Sequence, residues 1–407
     1  MNVRTAIQFR ELPESDIERA LALAYLAFHE SPEDDQRRRH RDLLRQCLRI
    51  GAYDGDEVVG LAAGIPFRLS VPGAELPGPG VSFVCVAPTH RRRGVLSGMI
   101  GELFRRCADA GWPVASLWAS EDAIYGRYGF GPAAYGATVE IDSREALRLR
   151  IAPDERPLRL LATDEVPKLL GAYYDATRRT RAGRPFRTEE WWREEWLVDK
   201  DEDDDDLSPP RVVALGDPVA GYAVYRTKRA DDGPGLVRVD ELEADTPAAA
   251  AALWTYLCAI DLTRKVQAWN RPLDDPLLLF AADRDQVRVT AEFPALRLRL
   301  TDAAEALRQR EWAAPADLVL DVTDAHIPAN AGRHRLTAAP GGATYEPTDA
   351  APDLALDVRD LAACYLGGTR ARSLVQAGLV TEHTPGAADA LDDAFRTALL
   401  PHTGEDF

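Results

Sequence analysis

Hydrophobic and polar positions divide the first 140 residues into alternating strand-like and helix-like stretches. Residues 4–10 and 51–65 carry strand character, with a helical pattern from Glu14 to Glu30 between them. Asp54-Gly55-Asp56-Glu57 separates two apolar segments and reads as a hairpin turn. The run Val58–Ile65 has the length and flanks of a buried strand. A Pro/Gly-rich turn over Pro72–Pro79 precedes the β-branched run Val81–Val86, which is broken at Pro88. The basic turn Arg91-Arg92-Arg93-Gly94 follows, and then a helical pattern from Leu96 to Cys107. Val114–Ala119 forms another short strand. It runs into Tyr125–Gly131, where glycines alternate with aromatics.

A second cycle starts near Leu158. A polar helical region around Glu189–Glu195 carries Trp191, Trp192 and Trp196, and the acidic run Asp201–Asp206 after it reads as a solvated, mobile loop. Val212–Leu215 and Val219–Tyr225 flank the turn Gly216-Asp217-Pro218, Val237–Glu243 is a strand, and Pro247–Leu262 is an Ala/Leu-rich helix. Hairpin, strand and helix thus recur in the order of the first 110 residues. The strand-to-helix turn is now Ala244-Asp245-Thr246-Pro247, without arginine or glycine and with an acid where an anion would sit. This copy reads as structurally similar and catalytically empty. Beyond Asp302 the pattern predicts a helix (Ala303–Arg310), strands at Leu318–Val322, Arg333–Thr337, Ala343–Pro347 and Leu354–Val358, and helices at Arg359–Tyr365 and Leu391–Leu399. Strands followed by helices imply a small α+β domain.

Charge and cysteine usage narrow the function. Lys and Arg total 49 against 66 Asp and Glu, a formal charge of −17, in a chain of 407 residues. Sequence-independent nucleic-acid binding needs a basic footprint, so it is excluded; an acidic protein instead attracts cationic small molecules. No apolar run approaches a membrane span, and Met1–Arg10 lacks a signal-peptide core, so the expected location is cytoplasmic. Five cysteines without C-x-x-C spacing argue against a disulfide framework and against structural zinc, and no metal is expected.

The strand, R-x-x-G turn and helix ending the first cycle make an anion site. Free N–H groups and the positive dipole end of the helix favour a phosphate, and glycine lets the backbone approach it. An acyl-CoA offers a pyrophosphate for the turn, and pantetheine amides that can pair with a splayed strand at Val84-Cys85-Val86. Tyr125 is either a packed aromatic or a general acid: an ordinary phenol, with pKa near ~10, stays protonated at neutral pH and can donate to a leaving thiolate. Ser120, Glu121 and Asp122 stand just upstream. Cys85 is either an acyl-carrying nucleophile or inert core. The tail Gly404–Phe407 either frays or presents its carboxylate, on an aromatic anchor, as a base.

The stretches Ser82–Gly94 and Ala119–Ala133, with Asp275-Pro276-Leu277, Asp392–Phe395 and Phe407, resemble the Eis (enhanced intracellular survival) branch of the GNAT N-acetyltransferases. The resemblance implies an α/β (α+β) chain of tandem GNAT folds, active then degenerate, followed by a sterol-carrier-protein-like domain. The corresponding expected boundaries are 1–140, 141–298 and 299–407. It implies acetyl-CoA as co-substrate, held by Val84, Cys85, Val86, Arg91, Arg92, Arg93, Gly94, Val95, Leu96, Ser97, Ser120 and Glu121. It further implies Tyr125 as general acid, the Phe407 carboxylate as general base, and a homohexamer built as a trimer of dimers. The acceptors it implies are cationic amines: aminoglycosides at one or several positions, or lysine and polyamine-like acceptors. Trp118 stands where some members carry a histidine. A reading of another class is a lipid-binding protein on a relic acetyltransferase fold; the intact turn and Tyr125 in the first copy argue against it.

Overall fold

The computed structural model describes residues 6–201, 204, 206–229 and 233–407. By contacts the chain forms two units. One comprises residues through Ala134 with Leu296–Ala398 and Glu405–Phe407; the other comprises Tyr135–Ala295 with Leu399–Gly404.

The first unit opens with β1 (Gln8–Glu11), α1 (Ile17–Phe28), α2 (Asp34–Gln46), β2 (Leu48–Asp54), β3 (Glu57–Val71), β4 (Ala74–Val86), α3 (Val95–Ala110), β5 (Val114–Leu117) and the single turn α4 (Asp122–Tyr125). Strands β1 to β4 pair antiparallel in sequence order, and β5 joins β4 in parallel. Helix α3 buries Val95, Met99, Ile100, Leu103, Phe104 and Cys107, a three-to-four spacing that places one apolar stripe on the sheet. Gly98 lets that helix seat on β1, since a Cβ there would fall 2.0 Å from the Phe9 ring.

Two sequence expectations change here. Residues 4 and 5 of the expected first strand lie outside the described residues. Pro72–Pro79 is mostly strand: the turn is confined to Pro72-Gly73, and β4 starts at Ala74. Pro77 and Pro79 are two residues apart and face the same way, and β4 has no registered pair with β5 before Gly80, so that edge needs no N–H from them. Helix α2 is an addition to the sequence reading, because most of its residues are charged. Its surface is held by charge pairs of helical spacing, Arg38 with Asp35 (3.0 Å) and with Asp42 (3.4 Å).

The second unit contains most of β6 (Gly131–Asp142), then β7 (Leu158–Leu161), α5 (Val166–Arg178), the short α6 (Glu189–Trp191), β8 (Arg211–Leu215), β9 (Gly221–Lys228), β10 (Gly235–Ala244), α7 (Pro247–Cys258), β11 (Thr263–Pro272), α8 (Leu277–Phe280) and the first part of β12 (Val287–Leu300). Its strand order is β6-β11-β10-β9-β8-β7. Alternate residues of β8 enter opposite cores. Val213 and Leu215 meet α7 with Trp254, while Val212 and Ala214 meet α5 with Tyr174 and Trp192. The expected helix to Leu262 stops at Cys258, and Leu262 is exposed. Of the acidic run, Glu202, Asp203 and Asp205 lie outside the described residues. The rest is tied down rather than freely solvated: Asp204 pairs with Lys228 at 2.7 Å, and Asp201 pairs with Arg238.

The remainder of the first unit carries α9 (Ala303–Gln309), β13 (Ala316–Thr323), β14 (Gly332–Ala339), β15 (Gly342–Pro347), β16 (Leu354–Asp357), α10 (Val358–Tyr365), α11 (Ala371–Gln376), β17 (Thr381–Glu382) and α12 (Ala387–Phe395). The sheet order is β15-β14-β13-β16-β17, with β16 parallel to β13. The last expected helix, Leu391–Leu399, is shifted towards the N-terminus and ends at Phe395. No helix among the described residues is long and apolar enough to cross a membrane.

Candidate active site

The site begins where two parallel strands separate. Gly80↔Ser116 is the registered pair between β4 and β5 among the described residues. Beyond it β4 stays bound to β3 but bulges, with Leu61 opposite Cys85 and Ala63 opposite Ser82, so Ala62 faces both Phe83 and Val84. Phe83 has φ 51°, a left-handed conformation that bends the strand. Val84 and Val86 are half-buried on this stretch and Cys85 is buried. Polar backbone on the parted edge is open to an extended ligand rich in amides.

The following loop is pinned on one side. His90 Nε2 and Arg93 reach the same Asp54 oxygen at 3.2 and 3.5 Å, and His90 Nδ1 lies 2.8 Å from Thr89 Oγ1. Part of Arg93's charge is therefore committed within the fold. Arg91 and Arg92 are exposed and make no ion pair among the described residues. Arg92 (φ 60°) and Gly94 (φ 80°) are both left-handed, which turns the chain sharply into α3. No side chain caps α3, so its first-turn N–H groups remain available to an anion. In that turn Val95 is buried and Leu96 half-buried. The exposed Ser97 places its hydroxyl 2.9 Å from that of Tyr128.

Past the end of β5, Trp118 is half-buried and Ser120 and Glu121 are exposed; the side chain of Asp122 lies outside the described residues. Tyr125 closes α4, its ring edge-on to Phe130 at 6.0 Å. Burial, reinforced by the neighbouring Glu121, Tyr128 and Cys85, pushes the Tyr125 phenol up to about 12. The hydroxyl therefore keeps its proton, and it has no hydrogen-bond partner among the described residues. The Cys85 thiol is pushed up to about 12 by burial, which outweighs its backbone hydrogen bond with Leu61.

Phe407 reaches the same strands. Its ring packs against Phe67 of β3, and a Cβ on Gly80 would fall 2.9 Å from its Cε2 atom. The structure therefore brings the tail's aromatic to the pair at which β4 and β5 part. Two neighbours escaped the sequence reading. His40 of α2 lies 3.1 Å from the Tyr25 hydroxyl and edge-on to Phe83 at 5.3 Å. Arg359 of α10 approaches the Tyr125 turn so closely that a Cβ on Gly126 would fall 2.7 Å from its Nη1. Charge pairing of helical spacing surrounds His40, and Arg359 opens the expected helix Arg359–Tyr365, but nothing along the chain ties either residue to this site.

In the second unit, the matching turn satisfies itself. Thr246 Oγ1 accepts from Ala249 N at 3.1 Å and caps α7, and Asp245 accepts the Tyr173 hydroxyl at 2.8 Å. An anion would meet the Asp245 carboxylate there, and the Thr246 cap already takes one of the helix's first-turn amides.

Parted β4 and β5, an uncapped α3 and a protonated tyrosine past β5 together make up the candidate site. Residues 8–133 and 183–300 each match an acetyltransferase (GNAT) domain family, and residues 303–404 match a sterol carrier protein domain. The chain is 41% identical to an uncharacterized N-acetyltransferase of Streptomyces avermitilis, over 92% of this chain and 93% of that one. It is 37% identical to the N-acetyltransferase Eis of Mycobacterium tuberculosis, over 88% of each. Eis1 of Mycobacterium abscessus superposes with a TM-score of 0.86 at 32% identity, covering 99% of this chain and 100% of that one. The chain belongs to the Eis-type GNAT N-acetyltransferases.

Proposed function

We propose that the protein transfers acetyl from acetyl-CoA directly to an amine of a cationic small molecule, aminoglycosides foremost. The observation that carries this reading is the parting of β4 and β5 at Gly80↔Ser116, with Tyr125 following β5 and Phe407 packed at Gly80. Backbone of Val84–Val86 pairs with pantetheine. Arg91, Arg92 and the amides of Gly94–Ser97 take the pyrophosphate, with Arg93 assisting from its anchor on Asp54, and Ser120 and Glu121 border the thioester. The acceptor amine must be neutral to attack, and the Phe407 carboxylate removes its proton. Amides near Phe83 and Val84 stabilise the tetrahedral oxyanion, and Tyr125 returns a proton to the departing thiolate. A covalent acetyl-Cys85 route is disfavoured because a buried thiol that ionises only near 12 is a poor nucleophile at neutral pH.

The same proposal carries the three functional segments 1–140, 141–298 and 299–407, the homohexamer and the cytoplasmic location. The net charge of −17 supports a polycationic acceptor through long-range attraction. Thiol release from acetyl-CoA across aminoglycosides, polyamines and lysine peptides tests the reading. Turnover with aminoglycosides fixes the acceptor class, turnover confined to lysine peptides or polyamines replaces it, and absence of acetyl-CoA binding by calorimetry rejects the enzyme altogether. Light scattering of the full chain checks the hexamer.

A further inference from the structure

The stretch that carries Tyr125 does little to hold itself in place. α4 is a single turn, too short to be stable alone, and a second tight turn, Gly126–Tyr128, follows it. Three backbone bonds close this stretch: Ile124 N to Glu121 O at 3.3 Å, Gly129 N to Gly126 O at 3.0 Å and Phe130 N to Tyr125 O at 3.4 Å. Arg127 adds a side-chain bond from Nε to Ile124 O at 2.9 Å. Where the Tyr125 hydroxyl stands therefore depends on what grips the turn from outside.

One grip comes from the loop between β13 and β14, in the same unit. Asp324 Oδ1 accepts from His326 N at 2.9 Å and from Ile327 N at 3.0 Å, an Asx-type turn that presents the histidine. The other Asp324 oxygen accepts from Arg299 at 2.5 Å and from Asn330 Nδ2 at 3.1 Å, and both of those residues are buried. The base of the loop is thus fixed although His326 itself is exposed. His326 Nε2 lies 3.0 Å from Arg127 O. A carbonyl only accepts, so Nε2 carries the hydrogen and donates. The imidazole sits 5.2 Å from the Tyr128 ring and edge-on to Phe104 of α3 at 6.2 Å. Arg299 braces the end of the same turn, since a Cβ on Gly129 would fall 2.9 Å from its Cζ.

We propose that His326 is a positioning residue for Tyr125, acting through its bond to Arg127 O, an assignment that rests on the reading of Tyr125 as the general acid. One residue separates Arg127 from Tyr125, so a shift of the gripped carbonyl passes into the phenol. Proton delivery is sensitive to displacements of about 1 Å. The anion end of the site has its own support: Tyr128 is buried, and its hydroxyl stays 2.9 Å from that of Ser97 in the first turn of α3. Loss of the histidine therefore falls on the chemical step rather than on cofactor binding.

The test uses the full chain with His326→Ala, His326→Phe and His326→Gln. The side chain is exposed and its removal leaves Arg299, Asp324 and Asn330 in place, so all three variants should fold with Tm near wild type. Phe keeps a ring against Tyr128 but cannot donate, while Gln restores an N–H donor. We expect Ala and Phe to speed hydrogen exchange at the Gly129 and Phe130 amides. Their kcat falls about three- to tenfold with KM for acetyl-CoA within about twofold of wild type, and Gln recovers most of both losses. Faster exchange with unchanged kcat overturns the positioning role, wild-type behaviour of the Phe variant overturns the role of the bond, and unchanged exchange overturns the grip. Tyr125→Phe separates this proposal from the reading beneath it. Adding His326→Ala to Tyr125→Phe should lower kcat no further, and a loss as large as in the wild-type background overturns the link to Tyr125. Full activity of Tyr125→Phe alone rejects the acid, while the exchange data still decide whether His326 grips the turn.

Discussion

The ring of Phe407 stands edge-on to that of Phe67, with centroids 4.9 Å apart and planes at 82°. Gly80 makes the arrangement possible, because a Cβ there would fall 2.3 Å from Phe67 and 2.9 Å from Phe407. Phe67 is buried in the middle of a long strand, whereas Phe407 is half-buried and lies outside any strand or helix. Gly80→Ala is therefore expected to displace Phe407 first. Thermal melting should show a folded protein with a modestly lowered Tm, and kcat should drop about tenfold or more, the cost of misplacing a reacting group. An unchanged kcat would show that the position of Phe407 does not matter to turnover.

Tyr125→Phe removes the proposed general acid with little change of shape. A loss of about 10²–10⁴ in kcat is expected, with KM for acetyl-CoA near the wild-type value. The pH profile carries a second expectation. With the phenol pushed up to about 12, it stays protonated across the assay range. Its contribution to stability, favouring the neutral form, is complete below the unfolded value near ~10 and is lost only as pH rises through about 12. Wild-type kcat should accordingly show no alkaline fall near pH 10, and a break there that vanishes in the Phe variant would mean that the phenol is solvated.

The elements around the parted strands were readable because each carries a local signal. Val81–Val86 is β-branched, Pro88 stops it, Gly94 supplies a left-handed turn, and α3 shows a single apolar stripe. The bulge at Phe83–Val84 left no such trace, since an unpaired residue in a strand looks like its neighbours and only the register with β3 reveals it. Helix α2 hid for the opposite reason: its residues are mostly charged, and although its positions alternate with a helical period, the buried side is Arg39 and Leu44 rather than an apolar stripe. The tail shows the same limit at longer range. His402 and Asn270 are 132 positions apart, and no pattern along the chain announces a bond between them.

Cys85 separates direct from covalent transfer. Its thiol, raised to about 12 by burial, is un-ionised at pH 8. Cys85→Ala should retain turnover within about threefold, the difference reflecting lost packing of a small buried side chain rather than lost chemistry. Intact-protein mass spectrometry after incubation with acetyl-CoA and no acceptor should show no added acetyl group on Cys85. An acetylated, catalytically competent Cys85 would replace the direct route.

Asp360, in the first turn of α10, offers a pH test of stability. Burial, with help from the nearby Asp357 carboxylate, raises its carboxyl to about 6. The unfolded value is near ~3.9, so the folded state holds this proton more tightly. The resulting stabilisation is complete below about 3.9 and is lost as pH rises through about 6, after which the fold carries an awkward carboxylate. Asp360→Asn keeps the shape and removes the titration. The variant should melt higher than wild type at pH 8 and show no gain at pH 4. The gain should not exceed about 1 kcal/mol, because the group is partly open to water, which screens the charge. Asp357 must stay intact in this experiment, since it caps α10 by accepting from Arg359 N at 2.9 Å. A gain of equal size at both pH values would assign the effect to helix propensity or packing instead of charge.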